Sequence, residues 1–206
     1  MFTGYSPSDI VIVVLSLLFS VGVHEAVHAY VAHSLGDDTA AQEGRLTLNP
    51  LKHIDLYMTV LLPAVLILFH LPPIFVAKPV PFDPLRVRFG EYGAALVALG
   101  GPFSNLALAA VAAFLINFGV IPEAAQHAAV IFIQLNISLF VFNMLPIPPL
   151  DGSRLLYAFA PEPIQKIMYQ IESMGLLLVV FIILVLSQFI GPVLSSIGQT
   201  IFNFLL

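Results

Sequence analysis

The chain has 206 residues, 59% of them hydrophobic and only 9% charged, against roughly 25% charged in a typical soluble domain; its mean hydropathy is +1.00. A net charge of −5 with no basic patch or tail leaves nucleic-acid binding without support. The absence of cysteine excludes disulfides, thiol catalysis and thiolate metal sites. The composition is that of an all-α polytopic membrane protein lodged in a lipid bilayer, and any metal in it must be held by His, Asp or Glu.

Taken in order, the chain forms one domain over 1–206 with four to five transmembrane helices. Ser6-Pro7-Ser8-Asp9 is a helix start, and the first span runs over about 8–35 to stop at Gly36. No positive residue precedes it and no small-residue cleavage site follows, so it is expected to be a retained helix and not a secretion signal. Residues 37–50 are the polar surface stretch. Arg45-Leu46-Thr47-Leu48 alternates briefly, which predicts a short strand or hairpin ending at Asn49-Pro50.

A re-entrant or extended segment is expected around 56–91. Residues 56–75 are apolar but interrupted by Pro63 and closed by Pro72-Pro73, and Lys78-Pro79-Val80-Pro81-Phe82-Asp83-Pro84 is too proline-rich for regular helix. Spans follow over about 92–119 and 124–147, then a short helix from Ser153 to Phe159. The stretch 175–206 is one long span, or two broken at Gly191-Pro192. If 56–75 dips in and returns, all seven Lys and Arg residues fall on one side; if it crosses, they split. Cytoplasmic loops favour Lys and Arg, so re-entry is preferred and the charged side is expected to be cytoplasmic. Non-helical backbone at that depth must be enclosed by protein or line a wet cavity.

The chemistry sits on His24-Glu25-Ala26-Val27-His28, near the C-terminal end of the first span. Histidines at i and i+4 share one face of a helix, one turn apart, and can reach a single ion. The glutamate between them is placed to handle a water there as general base, the H-E-x-x-H arrangement of zinc hydrolases. The plain alternative is a helix end with solvated polar groups, but ionisable residues inside a membrane helix are costly without a function. Two histidines are too few, because catalytic zinc usually has three protein ligands and an open position. Asp151, in Leu150-Asp151-Gly152 after a proline-rich break, is the candidate third ligand; the rival role is to cap the helix that begins at Ser153. Gly152 would permit close backbone approach or positive φ. Asn105, inside a span, is read first as a helix-packing hydrogen bond and second as support for the metal site. His53 is read as structural, and His33, His70 and His127 carry no motif.

Five ordered motifs resemble the site-2 protease family of intramembrane zinc metalloproteases, in a compact form without a PDZ domain. They are His24 to His28; Gly44-Arg45-Leu46-Thr47-Leu48-Asn49-Pro50-Leu51-Lys52-His53-Ile54-Asp55; Ala77-Lys78-Pro79-Val80-Pro81; Gly101-Pro102-Phe103-Ser104-Asn105; and Asn143-Met144-Leu145-Pro146-Ile147-Pro148-Pro149-Leu150-Asp151-Gly152. One departure is Leu56-Tyr57-Met58-Thr59, where a Pro- and Gly-containing turn is expected. The resemblance implies one Zn2+ per chain held by His24, His28 and Asp151, Glu25 as the base, and Asn143 assisting at the scissile carbonyl or the substrate strand. It implies cleavage of transmembrane protein substrates, in a prokaryotic cell membrane. A helical substrate must unwind to be cut, and extended Lys78 to Pro81 is either an edge for the unwound strand or an inert proline-rich connector. A metal-ion transporter using the His/Asp cluster as a transit site is the alternative. The asymmetric ligand set, the lack of an internal repeat and the placing of Glu25 speak against it. An inert binder of membrane segments is disfavoured by the intact metal set.

Overall fold

A computed structural model describes residues 6–53, 80–175 and 187–206. Among these residues there are seven α-helices, one 3₁₀ turn and no strand. Helix α1 spans Pro7–Ser34, α2 Thr39–Gln42, α3 Glu91–Asn117, α4 Glu123–Asn143, α5 Gly152–Phe159, α6 Glu162–Glu172 and α7 Ser187–Leu205, with the 3₁₀ turn at Pro50–His53. Three of them, α1, α3 and α4, are long and apolar enough to cross a membrane, and α7 includes a shorter apolar helix from Phe189 to Leu205.

Local chemistry explains the ends of α1. Ser6 Oγ accepts from Asp9 N at 3.2 Å and Asp9 Oδ2 accepts from Ser6 N at 2.9 Å, a reciprocal capping box with Pro7 in the first turn; losing such a cap costs about 1 kcal/mol. At the other end Gly36 turns the chain at φ +101°, a conformation that favours glycine. The 28 residues of α1 rise about 42 Å at 1.5 Å each, more than the hydrocarbon thickness.

The helices pack through small residues. The buried face of α3 is Gly93, Ala94, Ala95, Val97, Ala98, Gly101, Pro102, Asn105, Ala109, Ala112 and Ala113. It lies against α1, α4 and α5, while α4 also packs on α7. With no water to expel between helices in lipid, close backbone approach and interhelical hydrogen bonds hold such a bundle together. One apolar cluster joins Ala109, Ala112 and Ala113 of α3 to Ile133, Ile137 and Val141 of α4, flanked by Leu194, Ile201 and Phe202 of α7. Large side chains such as Leu15, Phe19, Val111 and Phe114 face outward, as a lipid solvent allows.

The expected strand or hairpin at 37–50 does not form. The segment is α2 followed by turns and the 3₁₀ helix. Side chains take up its main-chain groups. Fully buried Asp37 accepts from Thr39 N (3.0 Å) and Thr39 Oγ1 (2.5 Å). Arg45 Nη1 donates to Lys52 O at 2.6 Å, and His53 Nε2 to Thr47 O at 3.0 Å. A four-residue alternation is outweighed by these local bonds, and His53 is held within this segment by its bond to Thr47 O. Asp37 Oδ2 also accepts from Asp83 N at 2.6 Å and Leu35 O from Arg88 N at 2.9 Å, which tie residues 80–90 to the end of α1 as turns. The question of re-entry at 56–75, the departure at Leu56 to Thr59, His70 and Lys78 lie outside the described residues.

Two further differences concern helices. Helix α6 was not anticipated, although Pro161 and Pro163 at its start and apolar residues at 164, 167, 168 and 171 mark an amphipathic helix. Helix α7 runs through Gly191-Pro192 without a break; the link from 175 back to it falls at 176–186, outside the described residues. Asp9 Oδ1 meets His127 Nε2 at 2.7 Å, placing the start of α1 and the α3–α4 turn at one end. Arg86 and Arg88 lie at the other end of α1, beside Leu35 and Gly36.

Candidate metal centre

His24 and His28 project from the buried face of α1 toward α3. His24 lies ten residues, about 15 Å, from the end of the helix, well inside the span. Asp151 precedes α5. As that helix's N-cap residue it makes no side-chain capping bond, so the capping role is not used. Its Oδ2 instead lies 3.1 Å from His24 Nε2 and 3.5 Å from His28 Nε2, and the two Nε2 atoms are 3.0 Å apart. One potential ligand atom from each of the three residues thus falls within 4.8 Å of the others, bringing the expected trio together from chain positions more than a hundred residues apart.

The far side of each ring shows why these atoms suit a cation. His28 Nδ1 lies 2.7 Å from Val97 O, and His24 Nδ1 lies 2.6 Å from Asn105 Oδ1. Both partners are oxygen acceptors, so each Nδ1 carries the proton and each Nε2 presents a lone pair. Two lone pairs and a carboxylate converging at these distances repel one another unless an electrophile lies between them. This donor set, two imidazole nitrogens and one carboxylate oxygen with outer-shell hydrogen bonds orienting the rings, fits a zinc ion. Gly101 makes the approach possible: a Cβ there would collide with Nε2 of both His24 and His28. Gly152 serves in the same way, since a Cβ there would run into Met144 O and Leu145 O. Its φ is not positive, so of the two expected uses of this glycine only close approach applies.

Glu25, half-buried, opens onto a cleft of about 230 Å³ lined by His28, Val80, Phe82, Ala98, Pro149, Asp151, Arg154 and Glu172, a space of mixed ionisable and apolar lining with room for several waters. Glu25 Oε2 accepts from Val80 N at 2.9 Å, so the proline-flanked segment reaches the site through its main chain. The wall of the cleft is an ion pair that the sequence did not suggest. Arg154 Nη2 meets Glu172 Oε1 at 2.5 Å, and Tyr157 Oη donates to Glu172 Oε2 at 3.0 Å. Burial pushes the Tyr157 phenol above its ordinary value and the neighbouring Glu172 carboxylate adds to this, so Tyr157 remains a donor. Asn143, at the end of α4, is not in this group; its Nδ2 donates to Leu139 O in its own helix at 3.0 Å. Asn105 serves both expected roles, supporting His24 while its Nδ2 bonds Asn136 Oδ1 of α4 at 3.0 Å. Asn136 itself was passed over, although a lone amide within an apolar span was the available signal. His33 pairs with Asp38 and His127 with Asp9 near the helix ends.

Comparison with known proteins agrees with this geometry. The model of Peptidase family M50 matches residues 119–187. The Bacillus subtilis protein named "Putative zinc metalloprotease YwhC" is 37% identical over 206 residues, covering 95% of this chain and 91% of that protein. Two mycobacterial proteins named "Putative zinc metalloprotease Rip2" are also similar. The one from Mycolicibacterium smegmatis is 29% identical, over 84% of this chain and 67% of that protein, and the one from Mycobacterium tuberculosis H37Rv is 33% identical, over 90% and 69%. No solved structure gives a match. A relative this similar over nearly the full length of both chains, with the ligand trio assembled in space, places this chain in peptidase family M50.

Proposed function

We propose that this chain is an intramembrane zinc endopeptidase that hydrolyses peptide bonds in or near transmembrane segments of other membrane proteins. The observation that carries this is the convergence of Asp151 on His24 and His28 beside Glu25, the last three lying in a helix long enough to cross the bilayer.

In this reading His24 Nε2, His28 Nε2 and an Asp151 carboxylate oxygen hold one zinc ion per chain. Bound zinc supplies a Lewis acid and brings water within reach of deprotonation near neutral pH. Glu25, oriented by the bond from Val80 N to its Oε2, takes the proton from the attacking water and returns it to the leaving amine. The cleft beside it holds the water that hydrocarbon would exclude. Asn143 polarises the scissile carbonyl or steadies the unwound substrate strand through the second N–H or the oxygen of its amide, which its one bond to Leu139 O does not use. With 56–75 re-entrant, all Lys and Arg fall on one side, which supports a site opening toward the cytoplasm of a prokaryotic cell membrane, in keeping with the bacterial sources of the relatives.

Glu25→Gln tests this reading. With a single-span substrate in liposomes, cleavage should fall by at least about a hundredfold, the lower range for a general base, while zinc content stays at one ion per chain. Persistent cleavage, or zinc transport by the wild type without hydrolysis, would show the reading to be wrong.

A further inference from the structure

The imidazole of His24 is held from behind by a chain of amides that begins at a main-chain carbonyl. Asn136, fully buried on α4, donates from Nδ2 to Phe132 O at 2.9 Å. Its Oδ1 accepts from Asn105 Nδ2 at 3.0 Å. Asn105, fully buried on α3, also points Nδ2 at Ser20 O of α1 at 3.4 Å, and its Oδ1 accepts from His24 Nδ1 at 2.6 Å.

Every link in this chain has one sense. A carbonyl cannot donate, so Phe132 O takes the amino end of Asn136 and leaves the Asn136 oxygen facing Asn105. That oxygen takes the amino end of Asn105 and leaves the Asn105 oxygen for His24 Nδ1. The two ends of a primary amide are nearly alike in shape, so without an anchor the group can turn over. A reversed Asn105 would offer N–H to Nδ1, drive the imidazole proton to Nε2 and remove a lone pair from the cluster with His28 and Asp151. The Ser20 carbonyl at 3.4 Å is the weaker anchor. His28 needs no such relay, since its Nδ1 reaches Val97 O directly.

We infer that Asn136 is a positioning residue for the metal centre, setting through Asn105 the tautomer in which His24 Nε2 can ligate. This rests on the zinc reading above and adds a requirement to it. Asn136 also lies two turns before Asn143 on one face of α4.

The test uses the full-length, metal-free protein in detergent micelles, labelled with 15N at histidine. Side-chain 15N shifts should show the Nδ1–H tautomer at both His24 and His28 in the wild type. In Asn136→Leu, His24 should move toward Nε2–H while His28 stays unchanged, and the zinc dissociation constant from chelator competition should rise about 10- to 100-fold, the usual cost of losing an outer-shell partner. Asn105→Asp, whose carboxylate oxygens can both accept and have no wrong sense, should restore the His24 tautomer and zinc binding when added to Asn136→Leu. The inference is overturned if Asn136→Leu leaves His24 and the zinc constant at wild-type values. It is equally overturned if both histidines shift together and Asn105→Asp restores neither, which is the mark of general unfolding. A wild type that shows the two Nδ1–H tautomers yet binds no zinc would defeat the metal-centre reading and leave the relay standing.

Discussion

At the scale of single residues, the site is decided by where protons and small atoms sit. Asp151 provides the carboxylate of the trio, so Asp151→Ala should lower zinc occupancy with little change in helix content; unchanged occupancy in the purified protein would remove Asp151 from the ligand set. Gly101→Ala should do the same from the other side, because its methyl would occupy the space used by both Nε2 atoms. Zinc loss with an intact circular dichroism spectrum is the expected result, and full occupancy would contradict the close approach described here. The interhelical Asn105–Asn136 bond is worth about 0.6 kcal/mol to stability, and at most about 1.7 kcal/mol. A tenfold to hundredfold change in metal affinity corresponds to about 1.4 to 2.7 kcal/mol, so metal binding is the more sensitive readout of this pair.

At the scale of elements, the end of α1 is joined to residues 80–90 by Asp37. Burial raises this carboxyl, but hydrogen bonds from the Thr39 hydroxyl, Asp83 N and Thr39 N, with the charge of Arg86, outweigh burial and hold it below the usual carboxylate range. Since its folded-state value is depressed, its contribution is present above the unfolded carboxylate range and is lost as pH falls through the folded value. Asp37→Ala should lower thermal stability at neutral pH by about 1–3 kcal/mol, the cost of leaving buried donors unpaired. The gap from wild type should narrow as melting is followed into acid below the ordinary carboxylate range; a constant gap would show that ionisation of Asp37 is not involved. The expected strand over 37–50 failed in this region because period-two alternation in Arg45 to Leu48 competes with side chains that bond locally. The three spans α1, α3 and α4 were legible to within a few residues because an uninterrupted apolar run can only be satisfied in lipid by a helix.

At the scale of the whole molecule, the helices divide the chain into two unlike ends. One holds the α3–α4 turn and the Asp9–His127 pair, and the other holds Arg86 and Arg88 beside the end of α1. The chain contains no cysteine, so single cysteines can be introduced on a clean background. A cysteine replacing Glu123 should react with an impermeant maleimide in intact cells, and one replacing Lys166 only after permeabilisation; the reverse pattern would invert the proposed orientation.

By itself the sequence determined that this is a helical membrane protein, where its three long spans lie, and that His24 and His28 share one helix face. Those properties follow from composition and from the 3.6-residue period, which are local. Only the tertiary structure decided that Asp151 turns its carboxylate to the histidines and does not cap α5, that Gly101 clears space for both rings, and that Asn136 stands behind Asn105. These depend on which faces of α1, α3 and α4 meet, and a face is chosen by packing among distant segments, which no local period records.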